Sequence, residues 1–297
     1  MSELKAILEN VPPPSPSPKM GEGRVGVRIG KIAYTNTLPF YHGLVTESEI
    51  VKEGYPAQIN EWIGSGEIDL APISSLEYAA NPEKYYLLPG LCIASSQYSG
   101  SVLLLSKFKI TELGGRKIAL SQESLSSQAL LKILLSKHFQ FQNSFIATES
   151  NPKTMLQQAD ACLVIGDSAL FHAPNEFVFK YDLGNVWYEW TKKPFCFSVW
   201  AVRKPYFNEN KEEVYAFHEK LKQTTAANLQ DVRMLTLAAT NLSPYDQKSA
   251  LIFSYLSQLV FELNDEVEKG LIEFYRYSAE MKLISQVPKL EWIPEKS

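Results

Sequence analysis

The stretch Gly30-Lys31-Ile32-Ala33-Tyr34-Thr35-Asn36-Thr37-Leu38-Pro39 decides the reading of this chain. Val25, Val27 and Ile29 alternate just before it and predict a strand over residues 25–33. That strand runs into a polar Tyr-Thr-Asn corner, and Pro39 blocks further pairing. A strand that carries an amide to its C-terminal tip offers that amide to a ligand. Three more small polar clusters stand just before predicted helices: Ser74-Ser75, Ser124 with Ser126-Ser127, and Gly166-Asp167-Ser168. Helix N-termini carry unpaired N–H groups and a partial positive charge, so they attract anions. Converging on one cleft, such ends would hold a small polycarboxylate without a metal.

Working outward, one internal comparison organises the chain. Residues 60–78 (NEWIGSGEIDLAPISSLEY) and 153–171 (KTMLQQADACLVIGDSALF) follow one plan. A helix leads to an aspartate, Asp69 or Asp160; a short apolar strand, a small polar pair and another helix follow. Strands alternating with helices predict a mostly parallel sheet, and two copies predict two similar α/β lobes. Parallel sheets bind ligands beyond the C-terminal ends of their strands, so facing lobes would ring one cleft with polar corners. The apolar runs Ser101–Ser106 and Phe195–Val202 are expected to link the lobes. Lobe 1 is then residues 24–106 with 200–297, and lobe 2 residues 107–199. Helices are expected at 55–65, 128–138, 152–158, 207–227, 244–259 and 264–283. The proline-rich leader, residues 1–23, is expected to be disordered, with Met20 the natural start.

Composition excludes several functions. The chain has 45% hydrophobic and 21% charged residues, an ordinary globular balance. A net charge of −4 without Lys/Arg runs argues against nucleic acid as a partner. No apolar window long enough for a membrane span occurs, and residues 1–23 do not read as a secretory signal. Cys92, Cys162 and Cys196 lie in apolar segments and read as buried free thiols of a cytoplasmic protein. No zinc-like Cys or His spacing is present.

Seven blocks in order carry a resemblance: GKIAYTNTLP, SSLEYA, GSVLLLS, the ES-x-SS corner, IGDSAL, YDLGNVWYEWTKKPFCFSVWA and LNDEVEKGLIEFYRYSAEMKLI. Together they resemble the chorismate dehydratase family of the futalosine route to menaquinone, over residues 26–285. The resemblance implies an α/β, two-lobed fold of the type 2 periplasmic-binding-protein kind, with mixed, mostly parallel sheets and a helical C-terminus. It implies a cytoplasmic lyase, monomer or homodimer, that converts chorismate to 3-[(1-carboxyvinyl)oxy]benzoate and water without cofactor or metal. The related 1,4-dihydroxy-6-naphthoate synthase and a non-catalytic carboxylate-binding protein are the alternatives. One departure stands out: the family's glycine in Trp-Thr-Gly-x-Pro-Phe is Lys192 here.

Asn36 and Ser101 match the family's substrate-contacting asparagine and serine and are the expected catalytic pair. Tyr34, Ser74, Ser75, Ser124, Ser126, Ser127, Gly166, Asp167 and Thr191 are expected to bind substrate. Plainer roles stand beside these: Asn36 as a turn residue, and the serines and Asp167 as helix caps. His42, His138, His172 and His218 are expected to have structural or surface roles. Trp187, Trp190, Phe195, Phe197 and Trp200 are expected to be core, with one ring walling the cleft. Glu77 is expected at the surface or in an ion pair.

Overall fold

A computed structural model describes residues 26–44, 50–148, 151–171 and 179–296. The expectations for the leader, for Val25 and for His172 lie outside these residues.

The chain begins with β1 (Arg28–Ile32), a 3-10 turn (Thr35–Thr37) and the short α1 (Leu38–Tyr41). Next come β2 (Ile50–Gly54), α2 (Pro56–Ser65), β3 (Leu70–Ser74), α3 (Ser75–Ala80) and β4 (Tyr85–Ser95). After a first crossing come β5 (Val102–Ser106), β6 (Lys117–Ser121), α4 (Leu125–Ile133), β7 (Ser144–Thr148) and α5 (Pro152–Gln158). They are followed by β8 (Ala161–Ile165), α6 (Gly166–Phe171), β9 (Phe179–Asp182) and α7 (Leu183–Thr191). The return strand β10 (Phe195–Arg203) leads to α8 (Lys204–Glu209), α9 (Lys211–Gln230), α10 (Val232–Thr240) and α11 (Gln247–Gln258). The chain then adds β11 (Leu259–Val260) and α12 (Asp265–Glu280).

Two sheets form, in the orders β11-β4-β10-β3-β1-β2 and β7-β6-β8-β5-β9. β1 pairs in parallel with β2 and β3, and β6 with β7 and β8. The other pairings are antiparallel, and they come from the strands that enter after each crossing. β5 enters between β8 and β9, and β10 between β3 and β4. Both sheets are therefore mixed: three adjacent parallel strands form one flank of each, and the antiparallel pairings form the other. The sheets also correct the expected linkers. Val102–Ser106 pairs wholly within the second sheet and Phe195–Arg203 wholly within the first. The crossings are the short segments 96–101 and 192–194.

β3 (LAPIS), β5 (VLLLS) and β8 (ACLVI) are buried at every residue, as expected of strands covered on both faces. The repeated plan is present in detail. Asp69 N–H donates to the Arg28 carbonyl at the start of β1, and Asp160 N–H donates to Lys117 O at the start of β6. In return, each carboxylate accepts the N–H of that same residue, at 3.3 Å in both lobes. The Asp69 carboxylate is also held by Arg28 Nη2 at 2.6 Å and Arg203 Nη2 at 2.9 Å. One apolar cluster runs through both lobes, joining Ile73 and Leu76 to Leu104, Leu120, Leu130, Phe195 and Phe274. Glu77 is not at the surface: its Oε1 accepts from Asn81 Nδ2 and the Tyr85 hydroxyl, and burial raises its carboxyl pKa.

Candidate active site

The C-terminal ends of β1, β3, β6 and β8 face one another across the two lobes. A cavity of about 60 Å³ lies between them. Its polar wall consists of Tyr34, Asn36, Ser74, Ser99, Ser101, Ser124, Ser127, Ser198, Tyr255 and the Gly166 backbone. Its apolar wall includes Ile32, Ile93, Val102, Ile165 and Phe197. Among the described residues, no charged side chain lines it.

Asn36 stands in the 3-10 turn that β1 runs into, and its Oδ1 is buried without a hydrogen-bond partner among the described residues. The turn is fixed from within, because Thr37 Oγ1 donates to Ile32 O and Tyr34 O at 2.9 Å. It is fixed from the other lobe by Asp167, which accepts from Thr35 N and Thr35 Oγ1, both at 3.0 Å. Ser101 closes the first crossing, 5% exposed, with its Oγ 2.7 Å from Tyr255 Oη. Ser124 caps α4, accepting from Ser127 N at 3.4 Å. Ser74 ends β3, with its Oγ 2.6 Å from Ser126 Oγ.

Four expected binding residues do not line the cavity. Ser126 sits behind the wall, where its hydroxyl meets Ser74 Oγ, Ser75 Oγ and Leu76 N and so ties α4 to β3. Ser75 donates to Cys196 O at 2.8 Å and is fully buried. Asp167 spends its oxygens on Thr35, which also keeps a negative charge turned away from the cavity. Thr191 donates to Trp187 O at 2.9 Å and closes the last turn of α7. Lys192 follows it, exposed and left-handed at φ 59, a conformation that favours glycine. Its effect falls on the second crossing and not on the cavity.

Tyr255, Ser99 and Ser198 were not anticipated. Tyr255 lies on α11, far along the chain, and no local motif marks it. Ser99 lies in the first crossing, where no helix start marks it, and Ser198 was hidden inside the apolar run of β10. Phe197 is the ring that walls the cleft. His138 stacks on Trp190, and His218 bonds Pro89 O at 2.9 Å; His42 is exposed. None of these three lines the cavity.

Burial dominates the titration of the groups around the site. It raises the Asp167 carboxyl above its usual range, against two bonds from Thr35 that favour the charged form. It raises Tyr34 as well, and the Glu123 carboxylate, 2.7 Å from the Tyr34 hydroxyl, adds to the rise. Tyr255 is raised by burial, with Ser101 and Asn36 opposing and the field of Asp167 adding. Both phenols therefore stay protonated at neutral pH. The site offers neutral donors and one unpartnered amide oxygen, an arrangement suited to an anion carrying a hydroxyl.

Two mixed α/β lobes joined by two crossings around a polar cleft define the periplasmic-binding-protein class of fold. A protein from Archaeoglobus fulgidus solved by X-ray crystallography superimposes with a TM-score of 0.68 at 18% identity, over 89% of this chain and 100% of that one. The periplasmic aliphatic sulphonate binding protein of Escherichia coli gives 0.63 at 15% identity, over 92% of this chain and 94% of that one. The chain belongs to the family described as "Menaquinone biosynthesis", whose model matches residues 27–280. The chorismate dehydratase of Thermus thermophilus is 33% identical over 192 residues, 59% of this chain and 69% of that protein.

Proposed function

We propose that this protein is a chorismate dehydratase acting in menaquinone biosynthesis, and that Asn36 and Ser101 carry the reaction. The observation that carries this reading is the buried, unpartnered Oδ1 of Asn36 in a wall of neutral donors. At neutral pH chorismate has two carboxylates and a single O–H donor, the ring hydroxyl that is lost. An orphaned buried acceptor is costly, and that hydroxyl is the one group of the ligand able to satisfy it. Ser101, Ser127, which accepts from Ser124 at 3.0 Å, and the N–H groups opening α4 are the donors available to the carboxylates.

The elimination is redox-neutral. The proton on the ring carbon bearing the ether moves to the enolpyruvyl carboxylate of the substrate itself. The C–H electron pair becomes the new ring double bond as the neighbouring C–O bond breaks, and the carboxylate hands the proton it took to the departing hydroxyl, which leaves as water. Aromaticity supplies the driving force. An amide is no base at neutral pH, so Asn36 holds the leaving hydroxyl and Ser101 aligns the carboxylate. Alignment of this kind contributes roughly 7–11 kcal/mol when well achieved. The cavity lies between the lobes, and hydrogen bonds cross from one lobe to the other beside it, so the lobes part for entry. The bonds Tyr34–Glu123 and Thr35–Asp167 then break and re-form. The three cysteines are free and buried, which fits a cytoplasmic setting.

The test is incubation of the purified protein with chorismate, followed by ultraviolet absorbance and mass spectrometry. An aromatic product lighter by one water is expected. Tight binding of chorismate without that product would instead assign a non-catalytic binding protein. Unchanged turnover in both Asn36→Ala and Ser101→Ala would remove those residues from the mechanism.

A further inference from the structure

We infer that Tyr255 is a positioning residue for Ser101: its phenol donates to Ser101 Oγ and so turns the serine proton into the cavity, toward a substrate carboxylate. The inference deepens the dehydratase reading and rests on it for the identity of that carboxylate. Tyr255 is 4% exposed, lines the cavity and sits 2.7 Å from Ser101 Oγ. It comes from α11, beside the edge strand β11 of the first sheet, whereas Ser101 leads into β5 of the second. The bond therefore spans the first crossing.

The direction of the bond follows from acidity. A phenol is a stronger acid than an alkyl alcohol, so the tyrosine is the better donor and the serine the better acceptor. Once Ser101 accepts, its own proton is free for the cavity. Burial keeps the phenol protonated through the neutral range, so the donor persists. Hydrogen bonds in such a chain polarise one another, which sharpens Ser101 as a donor.

The surroundings allow Ser101 little other choice. Asp182 accepts from Ser99 N at 3.0 Å, from Ser99 Oγ at 2.9 Å and from Gly100 N at 2.7 Å, pinning the segment just before it. The Ser101 carbonyl accepts from Gly166 N at 2.9 Å. A β-carbon at Gly100 would stand 2.9 Å from the Tyr255 ring, so ring and backbone are in close contact. The backbone is fixed on three sides, and the hydroxyl rotor is set by Tyr255.

The test is Tyr255→Phe, which keeps the ring and removes the donor. Turnover of chorismate is expected to fall ten- to hundredfold in kcat with KM changed less than threefold. In a Ser101→Ala background the same change is expected to cost less than twofold more. A kcat within twofold of wild type, or losses that multiply in the double variant, would overturn the inference. If Tyr255→Phe fails to fold, 3,5-difluorotyrosine at position 255 retains ring and hydroxyl. It is expected to add an alkaline limb to the pH profile of kcat as the more acidic phenol ionises, and a profile with no new limb would overturn the inference. One readout is independent of turnover: an NMR signal from the Tyr255 hydroxyl proton with a cross-peak to the Ser101 β-protons. A Tyr255 hydroxyl signal without that cross-peak would overturn the inference even if chorismate proves not to be the substrate.

Discussion

Gly166→Ala is the perturbation whose cost the structure sets most directly. Gly166 has φ 61, and a β-carbon there would lie 2.5 Å from Tyr34 Cε1 and Cζ and 2.7 Å from Cε2. Carbon atoms pack at about 3.5–4.0 Å, so the ring must retreat by roughly 1–1.5 Å. The left-handed backbone alone costs an alanine about 1–2 kcal/mol. Crowding of this kind adds about 1–3 kcal/mol. The Tyr34 hydroxyl stands 2.7 Å from Glu123, and a retreat of that size carries it beyond bonding distance. A bond to a charged group contributes about 1.5–3 kcal/mol, and this one joins the lobes. The expected result is a fall in Tm on the order of 5–10 °C, read by scanning calorimetry, and a KM for chorismate raised about tenfold. Gly115→Ala is the control, because Gly115 has φ 76 and, among the described residues, nothing within 4 Å of its β-carbon position. It should show only the backbone strain. Equal effects of the two substitutions would refute the steric argument, and a wild-type KM in Gly166→Ala would refute the lobe-joining role of Tyr34.

Asp69→Ala strands Arg28 and Arg203 beside a buried gap and should cost about 3–5 kcal/mol in urea unfolding. Lys192→Gly removes a left-handed lysine and should stabilise the chain by about 1 kcal/mol, with turnover unchanged in the chorismate assay. The Asp167 carboxyl has a folded pKa raised above its usual 3.8, so the folded state binds the proton more tightly than the unfolded one. Its contribution is fully present below the usual value and is lost as pH rises through the folded one. Asp167→Asn should flatten that acidic part of the stability curve in calorimetry from pH 3 upward.

The central elements were legible because they are apolar and buried, and the edges were not. β3, β5, β8 and β10 are nearly continuous hydrophobic runs and were read directly. The strands missing from the sequence reading, β2, β7, β9 and β11, are the two edges of each sheet. Their residues are mostly half-buried or exposed, as in IVKEG and FKYD, so no alternation or apolar run marks them. The polar corner after β1 was found from the strand end and Pro39, and those after β3, β6 and β8 from helix-start chemistry, which also explains why Ser75, Ser126 and Asp167 were expected in a wall they do not line. A residue that opens a helix beside a cleft can equally bond the opposite lobe, and only the packing decides which. Tyr255 was invisible for another reason. It sits on an amphipathic helix whose buried face looks like core until the fold carries its hydroxyl to Ser101.

An uncharged cavity in a chain of net charge −4 also bears on the encounter with the ligand. A doubly anionic molecule is repelled at long range, and among the described residues no cationic side chain in the cavity wall steers it inward. Dissolved salt shortens that repulsion to about 10 Å at 0.1 M. Capture therefore quickens as ionic strength rises, the reverse of an enzyme that draws its substrate in with lysines.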